Sequence, residues 1–251
     1  MELVAGGLYV FARLTGLLMS MPVLSAAGVP PWARLGLALP LTLLLLPASG
    51  TTPMPTTLSV LLGAVLLEAL LGLLVGFVMQ VVYAALGMAA EIAATQSGLA
   101  MAAILDPVSA TQIGAVGVLV TWLGAGVFLG ADVHLYLLRV LGDSFQAVPP
   151  GQVSSLAGAA VLAPLFGTAI STGVELAGPL TLFVFLMNVA ISVIGRMTPG
   201  QQLFFAIGTT LQTTLGIALL GISLPLLLRA WLASLTQGLD AAVYVLRAAG
   251  G

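Results

Sequence analysis

Six long apolar stretches occupy most of this sequence and limit the folds that it can adopt. Of its 251 residues, 60% are hydrophobic and only 6% are charged, whereas about a quarter of the residues of an ordinary soluble domain are charged. A run of about 20 apolar residues is long enough to cross a bilayer as a helix. The sequence therefore predicts an all-α, membrane-type protein and excludes a soluble enzyme. The stretches lie at about residues 3–24, 35–47, 58–89, 113–141, 159–194 and 203–233.

Short clusters of proline, glycine and small polar residues separate the apolar stretches. Examples are AAGVPP before the second stretch and VPPGQVSS before the fifth. Clusters of this composition mark turns and loops between helices. Strand-like alternation and a convincing short repeat are both missing. We therefore expect one helical domain over residues 1–251.

The lengths of the stretches do not match a single bilayer. The second has about 13 residues, or about 20 Å as a helix, against a hydrocarbon core of about 30 Å. The third has about 32 residues, or about 48 Å. The fifth contains Pro164 and Pro179, each of which is predicted to kink or break a helix. The distribution of the few arginines does not define an orientation in a bilayer either. Two interpretations stay open: the helices do not cross a bilayer in the ordinary way, or the protein is an ordinary membrane protein with few arginines.

Ionisable residues inside or beside the apolar stretches are the first candidates for function, because a charge in hydrocarbon is costly. Arg13 and Glu68 are candidates for an ion pair between helices. Asp132 and His134 would point about 200° apart on one regular helix, which excludes a neighbouring dyad. We expect polar anchoring between helices or subunits, with proton relay as the less favoured alternative. The predicted buried anchors are Arg13, Glu68, Glu91, Asp132, His134, Glu175 and Arg196.

Glycine is frequent, with 30 residues, and two pairs have the four-residue spacing of a GxxxG motif. These pairs are Gly72 with Gly76 and Gly126 with Gly130. This spacing lets two helices approach closely and pack through their backbones. We therefore expect tight helix packing, either within the chain or against partners.

Motifs of enzymes and of ligand sites are missing from the sequence. It has no phosphate-binding loop, no HExxH and no nucleophile elbow. With one histidine and no cysteine, neither a metal site nor a cofactor is expected. The net charge of −2 provides no basic surface for nucleic acid. A small independent permease is the serious alternative to an assembly protein, although the absence of two matching halves counts against it.

The most polar segment between two apolar stretches reads AILDPVSATQIGAVG, residues 103–117. Pro107 lacks an N–H group and disfavours helix at Asp106. The hydroxyl and amide side chains that follow can face a wet lumen, and the glycines allow the backbone to rearrange. From composition alone, an ordinary turn between helices is favoured.

This segment and three further blocks resemble the flagellar biosynthetic protein FliR family, the R subunit of the flagellar type III export gate. The central segment of that family is similar to EIAATQSGLAMAAILDPVSATQIGAVG, with the match on Asp106, Pro107, Gln112 and Gly117. The other blocks agree with the family in order and spacing, and the four together cover nearly the whole chain. They read FARLTGLLMSMPVLSAAGVPPWARLGLALPLTLLLLP, DVHLYLLRVLGDSFQAVPPG and NVAISVIGRMTPGQQLFF.

The resemblance implies a pore-forming, non-enzymatic export-gate subunit in the inner membrane of bacteria, within the flagellar basal body. In that family, bent helix hairpins stack with P-type and Q-type subunits into a closed helical cone that passes unfolded substrates. A switch-type B subunit is a further implied partner. The cone sits largely above the ordinary bilayer plane, which accounts for the unusual lengths. The homologous subunit of a virulence injectisome is the alternative within the same resemblance.

The resemblance also implies a role for the polar segment. In that family the loop after the Asp-Pro turn is a plug in the closed export pore, so a plug becomes favoured over an ordinary turn. One departure from the family is Gln212, which stands about where a lysine is often found. The plug residues carried over are Asp106, Pro107, Val108, Ser109, Ala110, Thr111, Gln112, Ile113, Gly114 and Gly117.

Overall fold

The computed structural model describes residues 2–26, 28–50, 57–96, 115–197 and 201–250. These ranges contain seven α-helices and no β-strand, so the prediction of an all-α fold is confirmed. Short 3-10 helices follow α2 and precede α6. The helices are α1 (Glu2–Ser20), α2 (Pro31–Leu45), α3 (Leu58–Gln96), α4 (Ala115–Gly130), α5 (Val133–Ala147), α6 (Leu162–Met197) and α7 (Gln201–Ala248).

The chain divides into two compact units, each built from stretches that are far apart in the sequence. Unit 1 comprises Met1–Tyr83, Phe128–Gly167 and Leu235–Gly251. Unit 2 comprises Ala84–Val127 and Thr168–Ser234. Because the boundaries fall inside helices, no linker separates the units, and a single domain over the whole chain stays a prediction.

Several helices are longer than one bilayer crossing needs. Helices α3, α6 and α7 have 39, 36 and 48 residues, against about 20 for a single span. Within the described residues, four helices are long and apolar enough to cross a membrane, or five if α4 and α5 together form one broken span. The four are Pro31–Ser49, Leu58–Gln96, Ala157–Val193 and Thr210–Ala248.

The fourth apolar stretch contains a break that the sequence pattern did not predict. Asp132 adopts the left-handed conformation with φ 56° and ψ 23°, directly between α4 and α5. Aspartate is one of the few residues with a side chain that tolerates this conformation. Asp132 therefore precedes the helix that carries His134, and the two residues do not share one regular helix.

The prolines of the fifth apolar stretch do not interrupt its helix. Pro164 occupies the first turn of α6, where the missing N–H has no intrahelical partner to lose. Pro179 lies inside α6, which continues to Met197. The helix is therefore not broken at these prolines, since backbone groups freed by a proline can be satisfied without ending the helix, and a kink there stays a prediction.

In unit 1, helices α1 and α3 cross with their backbones in contact. A Cβ atom on Gly72 would collide with the carbonyl oxygen of Arg13, and one on Gly16 would collide with the carbonyl oxygen of Ala69. A Cβ on Gly76 would reach the hydroxyl of Ser20 in the same way. The prediction of tight packing at the first GxxxG motif is confirmed.

The second GxxxG motif has no such role among the described residues. Cβ atoms added to Gly126 and Gly130 would meet no atom within 4 Å. The small faces of these two glycines are open in the described chain, so close packing there against a partner stays a prediction.

We expect Gly72→Ala to destabilise the protein by about 1–3 kcal/mol, the usual cost of overpacking a close contact. The added methyl group meets backbone atoms, which cannot move aside as a side chain can. The matched control is Gly63→Ala on the same helix, where an added Cβ meets nothing within 4 Å. Denaturant titration of the two detergent-solubilised variants measures their free energies of unfolding. Equal losses of stability in Gly72→Ala and Gly63→Ala would contradict a backbone contact at Gly72.

Candidate functional site

Arg13 on α1 and Glu68 on α3 form a buried ion pair in unit 1. The Nε atom of Arg13 lies 2.5 Å from Oε2 of Glu68, and neither side chain is exposed to solvent. Buried charges are stable only when they are paired and hydrogen-bonded. The backbone contact at Gly16 and Gly72 brings the two helices close enough for this pair to form directly.

The other nitrogens of Arg13 connect the ion pair to α5 and to the turn that follows it. Nη1 donates to the Ser144 hydroxyl at 2.9 Å, and Nη2 donates to the carbonyl oxygen of Val148 at 3.2 Å. The guanidinium carbon lies 4.6 Å from the centroid of the Phe145 ring, within the range of a cation–π contact. One guanidinium therefore joins α1, α3 and α5.

The second carboxylate oxygen of Glu68 holds the turn after α5. Its Oε1 atom accepts a hydrogen bond from the backbone N–H of Gly151 at 2.7 Å. Gly151 has φ +81°, and a Cβ atom there would lie 2.7 Å from Cε2 of Tyr9. Only glycine meets both conditions. We call the set Arg13, Glu68, Ser144, Val148 and Gly151 the ionic junction.

The remaining predicted anchors lie in different surroundings. Glu91 on α3 and His134 on α5 are partly buried. Glu91 Oε2 and His134 Nδ1 are buried and have no hydrogen-bond partner among the described residues. Asp132, Glu175 and Arg196 are exposed. No other described part of the chain covers these three residues. Their anchoring to other subunits stays a prediction.

The structure adds partners that the sequence analysis did not assign to Arg13 and Glu68. Ser144 and Gly151 both lie in the block DVHLYLLRVLGDSFQAVPPG, which was noted only for its resemblance. The signals there were a serine inside an apolar helix face and a glycine directly after two prolines. Neither signal indicates which distant charge is the partner.

The predicted plug lies almost entirely outside the described residues. This holds for all its members from Asp106 to Gly114. Gly117 belongs to α4, where it is buried and its carbonyl oxygen accepts a hydrogen bond from the Thr121 hydroxyl at 2.7 Å. The neighbouring described residues are Gln96, the last residue of α3, and Ala115, the first of α4. The plug assignment stays a prediction.

Unit 2 contains an apolar cavity of about 280 Å³. Small and branched aliphatic side chains from α3, α4, α6 and α7 line it, with Glu175 and Ser223 as polar members. Across the described residues, no three acidic or histidine side chains are grouped as a metal site would need.

These features define an all-α, membrane-type protein with polar groups that tie its helices together. Comparison with known proteins narrows this class. Residues 4–238 match the family described as bacterial export proteins, family 1. The chain belongs to this family. Its members are structural and transport components of export systems, so the expectation of a non-enzymatic protein is confirmed.

Individual relatives match over most of their length. The flagellar biosynthetic protein FliR of Caulobacter vibrioides is 32% identical over 225 residues, which are 88% of this chain and 89% of the relative. The protein of the same name from Escherichia coli (strain K12) is 32% identical over 216 residues, 86% and 82%. That from Aquifex aeolicus is 28% identical over 219 residues, 86% and 84%. The resemblance read from the four sequence blocks is confirmed.

We expect Glu68→Leu to destabilise the protein by about 3–5 kcal/mol, because it leaves the Arg13 guanidinium buried without its counter-charge. The double variant Arg13→Met with Glu68→Leu removes both charges and is expected to lose less than Glu68→Leu alone. The measurement is the free energy of unfolding in detergent. The single variant Arg13→Met completes the set. A double variant that loses as much stability as the two single variants added together would contradict a coupled ion pair.

Proposed function

We propose that this chain is a component of the flagellar type III export apparatus. The family match over residues 4–238 carries this proposal. The flagellar names of relatives that share most of their length with this chain support it. They also favour the flagellar system over a virulence injectisome.

Within that apparatus, the chain acts as a pore-forming gate subunit for unfolded flagellar substrates in the inner membrane and basal body. The large apolar surface of its helices supports a place in an assembly or in lipid. Trp32 on α2 is 75% exposed and Ile222 on α7 is 76% exposed, and many leucines of α3 and α6 are also uncovered. Contiguous apolar surface of this kind marks protein or membrane contacts.

The proposed partners are P-type and Q-type subunits stacked on these helices, together with a switch-type B subunit. The exposed charges of Asp132, Glu175 and Arg196 fit polar contacts between subunits, since each lies in or beside a largely apolar helix. Charges at such positions are costly in hydrocarbon and need a partner or water. An independent permease, the alternative of a different class, would need no such partners.

The segment from Asp106 to Gly117 is the proposed plug of the pore. Its support is the Asp-Pro turn, the polar side chains that follow, and its resemblance to the family. In the sequence it follows Gln96, the last described residue of α3, by ten residues, and it overlaps the first turn of α4, which begins at Ala115.

Co-expression with P-type and Q-type subunits is expected to give a stable complex that contains this chain. Its uncovered apolar helices are the physical reason, because partners remove that surface from detergent and water. The measurement is co-purification on a tagged partner, followed by size analysis. A monodisperse chain that transports a solute without partners would instead identify a permease.

Deletion of residues 107–113 is expected to make the assembled gate leak ions. The physical reason is the loss of the side chains that fill the closed pore. The measurement is the change in fluorescence of an ion indicator trapped inside vesicles that contain the complex. The matched control deletes residues 50–56, which are seven residues of the predicted loop before α3. Unchanged leak with normal secretion would show that the segment is an ordinary turn.

A further inference from the structure

Unit 1 contains an open cleft of about 670 Å³ between helix α5 and the last turns of α7. We call it the charged cleft. Its lining carries two carboxylates and one guanidinium, a net charge of −1. The polar residues that line it are Tyr136, Asp143, Ser144, Asp240, Tyr244 and Arg247.

The charged side chains of the cleft have no partner among the described residues. Asp143 on α5 and Asp240 on α7 are both exposed, and neither carboxylate makes an ion pair or a hydrogen bond with a described residue. Arg247, in the last turn of α7, forms an ion pair with neither of them. Two carboxylates that line one cleft without a counter-charge favour the binding of a cation there.

The C-terminal ends of two helices meet at one end of this cleft. Helix α5 ends at Ala147 and α7 ends at Ala248. A Cβ atom on Gly250 would lie 3.0 Å from Cγ2 of Val148, so the two ends are side by side. The last carbonyl groups of a helix carry a partial negative charge and favour cations. The last turn of α5 has no basic residue of its own.

Two exposed tyrosines make the cleft suitable for a long basic side chain. Tyr136 on α5 is 45% exposed and Tyr244 on α7 is 55% exposed. An aromatic face attracts the charged group of lysine or arginine within about 6 Å. Val140 and Val243 line the same cleft, and the aliphatic stems of these side chains pack on apolar surface of this kind. Carboxylates, rings and apolar surface together match a lysine or arginine side chain.

Contacts elsewhere in unit 1 hold both walls of the cleft in place. Ser144 lines the cleft and accepts the hydrogen bond of Arg13 Nη1 in the ionic junction. On the other wall, a Cβ atom on Gly158 would lie 2.8 Å from the Cα atom of Val245. The last turns of α7 therefore pack in backbone contact with the chain that follows α5. Walls that are fixed in advance lower the cost of ordering a site when a partner binds.

We propose that the charged cleft is the docking site for a basic polypeptide segment of a partner protein. Lysine or arginine side chains of that segment pair with Asp143 and Asp240 and lie against the tyrosine rings. A second copy of this chain is a poor occupant, because a chain with six arginines and no lysine offers few basic side chains. The inference goes beyond the proposed function, since it requires neither the pore nor the plug.

The test measures the binding of a fluorescent ten-residue peptide of lysine and alanine to the full chain in a neutral detergent. Fluorescence anisotropy gives the Kd, and a peptide of glutamate and alanine is the control probe, expected not to bind. The double variant Asp143→Asn with Asp240→Asn is expected to weaken binding about 2- to 30-fold, the effect of two exposed ion pairs. Glu175→Gln removes an exposed carboxylate of unit 2 and is expected to leave the Kd unchanged.

Arg247→Gln separates a binding role from damage to the fold. This variant keeps both carboxylates and removes the one positive charge of the lining. Binding of the lysine peptide is therefore expected to tighten, by about 2- to 5-fold. Weaker binding in this variant would contradict the proposed electrostatics of the cleft.

A cysteine reporter locates the bound peptide, because the chain has no cysteine of its own. Ala147→Cys introduces a thiol in the lining, and the lysine peptide is expected to slow its labelling by a maleimide. Gln152→Cys is the matched control, since Gln152 is exposed and does not line the cleft. Its labelling is expected to be unchanged by the peptide. Equal protection at both positions, or at neither, would overturn the assignment to the cleft.

Two further outcomes would overturn the proposal. Equal binding of the lysine and glutamate peptides, or a Kd that the double variant leaves unchanged, would show that the two carboxylates do not select a basic segment. Self-association of the chain that the double variant abolishes would identify a second copy as the occupant. Neither outcome bears on the export function, because these experiments use the chain alone, and co-expression with P-type and Q-type subunits tests that function separately.

Discussion

The burial of one arginine against one glutamate is the constraint on which the rest of unit 1 depends. Removing two charges from water costs several kcal/mol per ion, and only complete pairing and hydrogen bonding offset that cost. The remaining hydrogen bonds of the Arg13–Glu68 pair are made with the Ser144 hydroxyl, the Val148 carbonyl and the Gly151 N–H. Three helices and one turn must therefore be in place together for the pair to be satisfied. We interpret the pair as a source of specificity in the fold more than of net stability.

Much of the fold was predictable from hydropathy and glycine spacing, because both are local properties of the sequence. Each apolar stretch overlaps one α-helix, except the fourth, which overlaps α4 and α5. Gly72 with Gly76 indicated a close helix crossing. The break at Asp132 was not predictable, since a left-handed residue within an apolar run leaves no mark on hydropathy. The continuity of α6 through Pro179 depends on tertiary surroundings that a local rule does not include.

The candidate site was predictable only as a set of residue types. A charge in an apolar stretch identified both Arg13 and Glu68, but their partner Ser144 is 131 residues from Arg13, and no local pattern connects them. The same limit explains the exposed charges at Glu175 and Arg196. Whether a helix face is covered depends on which other elements pack against it, and in this chain no other described element covers these positions.

The division of the helices between the two units has a consequence for how such a protein can change over time. Helices α3, α4, α6 and α7 each contribute residues to both units. No single cut in the chain separates the units, so neither can be inherited, exchanged or duplicated as a module.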